Sequence, residues 1–137
     1  MAAAWPPTFA SRAALDARAV LKNRRFHIRL GFALGGLREG WRREKSFRTH
    51  CLFALAALGA LVVLRPPPIW WALIALVIAV VIALELINSA LEAMIDHLHP
   101  DQHPSIRVAK DMAAGAVLIA SGAAVVIGIA MLADTLL

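Results

Sequence analysis

The chain has 137 residues, a formal net charge of +5, and 61% apolar residues. This apolar fraction, with a mean hydropathy of +0.72, excludes a soluble globular domain and predicts an all-α membrane protein. The single cysteine, Cys51, excludes an intrachain disulfide and a cysteine metal cluster. The basic charge accompanies no motif that reads nucleic acid, so we expect no nucleic-acid partner.

The first part of the chain is basic and has no long apolar run. Residues 1–10 show no helix pattern and are expected to form a tail without fixed structure, while residues 11–137 form one membrane domain. From Ser11 onwards, Arg and Lys alternate with apolar side chains, which predicts an amphipathic helix on the membrane surface. Three glycines are expected to bend this helix: Gly31, Gly35 and Gly36.

Three apolar runs predict three membrane-spanning helices, at about residues 46–64, 69–97 and 108–135. The first span is long enough if the Arg48 side chain snorkels, with its charged head at the membrane surface. Consecutive prolines from Pro66 end this span, because they cannot continue a helix. The third span carries small residues at four-residue spacing, a pattern typical of close helix packing in lipid: Ala116, Ala120, Ala124 and Gly128.

The basic residues are unevenly distributed around these spans. All but three of the 14 Lys and Arg residues lie ahead of the first apolar run, and the three are Arg65, Arg107 and Lys110. The positive-inside rule therefore predicts that the N-terminus and the turn at residues 97–110 face the cytoplasm and that the C-terminus lies outside.

Polar side chains form one stripe near the end of the second span. Glu85, Asn88, Glu92 and Asp96 follow one another at intervals of three, four and four residues, which places them on one helix face. Glu85 lies about 24 Å along the span at 1.5 Å per residue, in the inner part of a roughly 30 Å hydrocarbon core. A carboxylate at the centre of a membrane helix costs about 2.5 to 3.5 kcal/mol, so its presence indicates a functional site.

The residue types in this region suit phosphoryl transfer. Carboxylates at a membrane edge can hold Mg²⁺ together with substrate phosphates, and Lys110 supplies a cation for the transferring group. Glu44 lies in a basic segment, where composition leaves open a surface ion pair or a functional role. His97, His99 and His103 share one turn, and structural or solvent-facing roles are favoured there over zinc binding.

Four segments carry a resemblance to a known family: ELINSALEAMID in the second span, AKDMAAGAVLIA at the third, and GLREGW and EKSFR upstream. Over roughly residues 25–128 the chain resembles the prokaryotic diacylglycerol kinase family, integral-membrane lipid kinases that include undecaprenol kinases. The resemblance implies a homotrimeric bundle of three-span protomers with an N-terminal amphipathic surface helix, in the bacterial inner (cytoplasmic) membrane. Its active sites would be shared between neighbouring subunits.

The resemblance also implies an activity, namely ATP-dependent phosphorylation of a membrane lipid alcohol with Mg²⁺. Diacylglycerol, giving phosphatidic acid, is the favoured substrate. Undecaprenol is the alternative, because the segments FRTH, HPDQHP and AKDMAAGAVL are more similar to that branch of the family.

Individual residues take roles from the same resemblance. Glu85 would be the general base for the lipid hydroxyl, and Asn88 would help to orient the site. Glu44 and Glu92 would hold the metal. The residues expected to bind the cofactors are Arg25, Glu44, Glu92, Asp96, Asp101, Gln102, His103, Lys110 and Asp111.

Two other classes of function compete with the kinase. In a small oligomeric transporter or proton pathway, Glu85 and Glu92 would relay protons within the membrane. Such a protein does not require Lys110 and Asp111 beside a cytoplasmic turn. A structural membrane adaptor would leave the polar stripe unexplained.

Overall fold

The computed structural model describes residues 26–98 and 103–137. In these two ranges the chain forms four α-helices and no strand: α1 (Phe26–Arg43), α2 (Lys45–Leu64), α3 (Pro68–Leu98) and α4 (Pro104–Leu136). The predicted all-α architecture is confirmed. The expectations for the tail at 1–10, the helix start at Ser11, and the site residues Arg25, Asp101 and Gln102 lie outside the described residues.

Three helices, α2, α3 and α4, are long and apolar enough to cross a membrane. The chain is therefore a membrane protein with three candidate spans, as predicted. α4 begins four residues earlier than expected, because Pro104 is tolerated in the first turn of a helix and His103 caps it. With 31 residues, α3 is about 46 Å long at 1.5 Å per residue, so it exceeds a roughly 30 Å hydrocarbon core.

The predicted interruption of the helix at the glycines of α1 is wrong. α1 runs unbroken from Phe26 to Arg43, through Gly31, Gly35 and Gly36. Glycine also adopts helical backbone angles, at a cost of about 1 kcal/mol relative to alanine, so it permits a bend without enforcing one. By compactness the chain divides at Gly36, and the second unit, Leu37–Leu137, holds the end of α1 and all three candidate spans.

A sharp corner joins α1 to α2. Glu44 has extended backbone angles and interrupts the helix between them. The Arg48 guanidinium donates to the carbonyl oxygens of Trp41, at 2.9 Å, and Arg42, at 3.3 Å, which caps the end of α1. The charged head of Arg48 thus lies at the start of the first span, where snorkelling would place it.

At Gly40 the backbone of α1 lies close to side chains of α2 and α3. A Cβ atom added there would lie 2.9 Å from Leu86 Cδ2 and 3.7 Å from Phe47 Cδ1. Phe47 is itself buried, so the α1–α2 corner packs against α3 beside Leu86. Only a residue without a side chain fits at this contact without displacing its neighbours.

α3 is the central helix of the second unit, and it packs against α4 more extensively than against α2. Leu61, Ile74 and Met131 form a small buried cluster where α2 ends, α3 begins and α4 ends. Near it, Trp70 Nε1 donates to Asp134 Oδ2 at 2.7 Å and ties the start of α3 to the end of α4.

The small residues of α4 lie on its packed side. Ala120 is buried, and Ala116, Ala124 and Gly128 are half-buried within a single chain. The ladder therefore serves close packing inside the protomer, because small side chains let helix backbones approach. The homotrimer stays a prediction.

Candidate active site

The polar stripe of α3 runs from the interior of the helix bundle to its surface. Glu85 is 3% exposed, and Asn88 and Glu92 are half-buried. The Asp96 side chain, near the end of the helix, is 65% exposed. The stripe therefore offers carboxylates in environments that range from buried to solvated.

Glu85 is held by two side chains of α2. Ser46 Oγ donates a hydrogen bond to Glu85 Oε1, and His50 Nε2 lies 3.8 Å from Glu85 Oε2. Ser46 and His50 are four residues apart and so project from one face of α2. The sequence analysis missed both residues. The signal that was available is two polar side chains at helical spacing where α2 enters the membrane.

Asn88 and Glu92 form the next layer of the stripe. Asn88 Nδ2 donates to Glu92 Oε1 at 3.4 Å, while Asn88 Oδ1 is buried and has no hydrogen-bond partner. A buried, unsatisfied oxygen costs about 1 to 3 kcal/mol, so its presence points to a ligand at this place. An amide oxygen beside a carboxylate is the kind of donor set that Mg²⁺ prefers, and these residues fit that ion.

At the end of the stripe, an ion pair joins α3 to α4. Lys110 Nζ lies 2.9 Å from Asp96 Oδ1. Asp111, the next residue, lies 3.8 Å from Arg107 in an exposed pair of the kind that contributes less than about 1 kcal/mol. The structure thus places Lys110 against the stripe and Asp111 on the solvent side of α4.

His103 has a structural position. It caps the N-terminus of α4, where its Nδ1 accepts from the Ser105 backbone N–H at 3.2 Å. This contact agrees with the structural roles favoured for the histidines of this turn. His97 lies in the last turn of α3 and is exposed, and His99 lies outside the described residues.

Glu44 lies at the α1–α2 corner, where its side chain is half-buried and makes no cap hydrogen bond. Its backbone N–H bonds to Gly40 O at 2.9 Å, and Gly40 packs on Leu86, so the corner is adjacent to the polar stripe. Within the described part of the chain, no group of three or more His, Cys, Asp or Glu side chains is placed to hold a metal.

An apolar cleft of about 350 Å³ lies between α2, α3 and α4. Its walls include Ile74, Val77 and Ala124, and His50 is the only ionisable residue that lines it. Ser121 also lines the cleft, and its buried hydroxyl has no hydrogen-bond partner, a feature that sequence reasoning missed. His50 lines the cleft and also lies 3.8 Å from Glu85 Oε2, so it is adjacent to both the cleft and the buried carboxylate.

Comparison with known proteins identifies the family of the chain. A family model described as prokaryotic diacylglycerol kinase matches residues 31–132. The chain belongs to the prokaryotic diacylglycerol kinase family. The resemblance found in the sequence is thereby confirmed, and the chain is a member of a family of lipid kinases. The matched range includes every candidate site residue except Arg25.

Several curated members of the diacylglycerol kinase family are similar to the chain. A diacylglycerol kinase of Synechocystis sp. is 36% identical over 107 residues, which are 77% of this chain and 61% of that protein. An undecaprenol kinase of Bacillus subtilis is 35% identical over 69% of this chain and 76% of its own length. A diacylglycerol kinase of Escherichia coli is 34% identical over 70% of this chain and 79% of its own length. The alignment thus spans less than two thirds of the Synechocystis protein.

Proposed function

We propose that this family member transfers the γ-phosphoryl group of ATP to the hydroxyl of a membrane lipid alcohol. The observation that carries this proposal is the buried Glu85 carboxylate, contacted by Ser46 and His50 of α2 and located in a helix long enough to span a membrane. A buried carboxylate in such a helix is energetically costly, so its presence indicates a functional role. The family membership gives the reaction class.

The residues of the site suit the steps of this reaction. The lipid oxygen attacks the γ-phosphorus, the bond from that phosphorus to the bridging oxygen of ADP breaks, and the hydroxyl proton passes to Glu85. Asn88 orients the groups of the stripe through its contact with Glu92. Lys110 supplies a positive charge for the phosphates. Asp111 and the neighbouring turn are further proposed contacts for the nucleotide.

Glu44 and Glu92 are the proposed metal ligands, with the unpartnered Asn88 oxygen beside them. When bound, Mg²⁺ neutralises charge on the phosphates and helps to orient them. In the proposed homotrimer, a neighbouring copy completes each site.

The apolar cleft is the proposed place for the hydrocarbon part of the lipid. Its walls are almost wholly apolar, and His50, which lines the cleft, lies 3.8 Å from Glu85, the proposed base for the reacting hydroxyl. Diacylglycerol is the first candidate substrate, and undecaprenol is the alternative. We place the protein in the bacterial inner membrane, with the N-terminus and the active site cytoplasmic and the C-terminus outside, from the distribution of Lys and Arg.

The experiment that tests this function is an assay of the purified protein with ATP and Mg²⁺ against diacylglycerol and undecaprenol in parallel. Glu85→Gln keeps the shape of the side chain and removes the base, so turnover should fall by about 10²- to 10⁴-fold while the KM for ATP changes little. The matched control is Glu39→Gln, because Glu39 is an exposed acid paired with Arg42 and Arg43 on α1. Near-normal turnover of Glu85→Gln would disprove the base assignment, and absence of phosphorylation of either lipid by the wild type would disprove the function.

A proton pathway is the rival from another class, and the contact between Glu85 and His50 inside a candidate span is the feature that favours it. Proteoliposomes distinguish the two functions. A pathway predicts proton flux in the absence of ATP that Glu85→Gln abolishes, whereas a kinase predicts no such flux.

A further inference from the structure

We propose that Ser46 and His50 are positioning residues for the Glu85 carboxylate. This inference rests on the proposed function, because it assigns to α2 the task of orienting the base that acts on the lipid hydroxyl. Neither residue belongs to the expected set of catalytic, metal or nucleotide residues.

The two residues act on different oxygens of one carboxylate. Ser46 Oγ donates to Oε1 of Glu85, and His50 Nε2 lies 3.8 Å from Oε2. Glu85 is 3% exposed, so water contributes little to holding its side chain in one orientation. The hydroxyl and the imidazole are therefore the groups in the described part of the chain that fix the direction of the carboxylate lone pairs.

α2 is held so that both contacts persist. Phe47, the residue after Ser46, is 4% exposed and packs at the α1–α2 corner next to Gly40. Because Phe47 fixes the rotation of α2 about its axis, Ser46 and His50, one turn apart, remain directed at α3. Arg48 strengthens this placement, since its guanidinium is bonded to the end of α1.

Orientation of a base has a measurable effect on rate. A hydrogen bond to a charged group corresponds to about a tenfold or larger effect on an equilibrium or a rate, and a general base acts only within hydrogen-bond reach of the proton that it takes. His50 also lines the apolar cleft, so it lies between the base and the proposed place of the lipid.

The first test separates chemistry from binding. Ser46→Ala and His50→Leu should each lower kcat by about tenfold or more, with the KM for ATP and for the lipid nearly unchanged. Ser46→Thr and His50→Gln retain a donor and should recover most of the loss. The control on the same helix is Thr49→Ala, because the Thr49 hydroxyl bonds to Lys45 O within α2 and is exposed. Detergent thermal stability of each variant checks that the fold is intact.

The second test asks whether these residues act through Glu85. In a Glu85→Gln background, Ser46→Ala and His50→Leu should cause no further loss of kcat, because the group that they orient is no longer a base. Losses that multiply in the double variants, or equal activity of Ser46→Ala and Ser46→Thr, would overturn the positioning roles and leave the lipid kinase function standing. A wild-type protein that phosphorylates neither lipid would overturn both.

Discussion

The three carboxylates of α3 lie in different surroundings along one helix. Glu85 is enclosed and contacted by α2, Glu92 accepts from Asn88, and Asp96 is solvent-exposed and pairs with Lys110. Burial disfavours a charge unless hydrogen bonds or a cation offset the lost hydration. The position on the helix therefore separates a candidate base, a candidate metal ligand and an anchor for a cation.

The first residue-level prediction concerns the metal. Glu44→Gln and Glu92→Gln should each raise the Mg²⁺ concentration needed for half-maximal activity, because in the proposed site each removes one charged oxygen ligand from an ion that binds few protein groups. Mg²⁺ titration of the lipid kinase assay measures this shift. Glu39→Gln, on exposed α1, is the control and should leave the Mg²⁺ dependence unchanged. A variant with wild-type activity at limiting Mg²⁺ would show that the residue replaced is not a ligand.

The second residue-level prediction concerns the nucleotide. Lys110→Met should raise the KM for ATP and also lower kcat, because in the proposed function the cation contacts phosphates in both the ground and transition states. Lys45→Met applies the same change to an exposed residue at the start of α2 and should have little effect. Steady-state kinetics with varied ATP measure both parameters. An unchanged KM for ATP would mean that Lys110 does not bind the nucleotide and serves only in the ion pair with Asp96.

Contacts between elements hold the site together at three places. The Asp96–Lys110 pair joins α3 to α4 at one end, and the Trp70–Asp134 hydrogen bond joins them at the other. The third place is the contact of Gly40 with Leu86, which brings the α1–α2 corner onto α3. The corner carries Glu44 and Ser46, so its distance from α3 determines how the site assembles.

The element-level prediction tests this corner. Gly40→Val should lower the thermal midpoint in detergent and the kinase activity, because its side chain would overlap Leu86 and overpacking costs about 1 to 3 kcal/mol. Gly59→Val is the matched control in α2, since an added Cβ at Gly59 meets no atom within 4 Å. Differential scanning fluorimetry of the two variants measures the difference. Equal midpoints for both variants would mean that the corner does not depend on close approach at Gly40.

On the scale of the whole molecule, a central α3 flanked by α2 and α4 leaves the apolar cleft on one side. Large apolar side chains elsewhere on α2 and α4, such as Leu52, Leu118 and Ile119, are exposed on the isolated chain. These surfaces suit lipid or other copies of the chain, since a membrane protein has no need to bury all of its apolar groups from solvent.

The prediction at this scale concerns a substitution that partly fills the cleft. Ala124→Leu should raise the KM for the lipid and leave the KM for ATP nearly unchanged, because Ala124 lines the cleft and a larger side chain reduces its volume. Ala123→Leu is the control, because the neighbouring residue is exposed on another face of α4. Kinetics with varied lipid in mixed micelles, together with the particle size in detergent, measure the effect. An unchanged lipid KM with loss of the oligomer would assign this face to contacts between copies.

The sequence by itself determined the helical class, the three spans and the stripe from Glu85 to Asp96, because hydropathy and helical periodicity are local properties of the chain. Local patterns also identified Lys110 and, through the family resemblance, Glu44. The expected interruption of the helix at Gly31, Gly35 and Gly36 was wrong, since glycine allows but does not require a break.

Only the tertiary structure showed that Ser46 and His50 reach Glu85, across 39 and 35 positions of the chain, and that Trp70 reaches Asp134 across 64. It also revealed the unpartnered oxygen of Asn88. These contacts depend on the rotation and relative height of separate helices. Both quantities are set by packing between side chains that are far apart in sequence, so they cannot be derived from residue spacing within one helix.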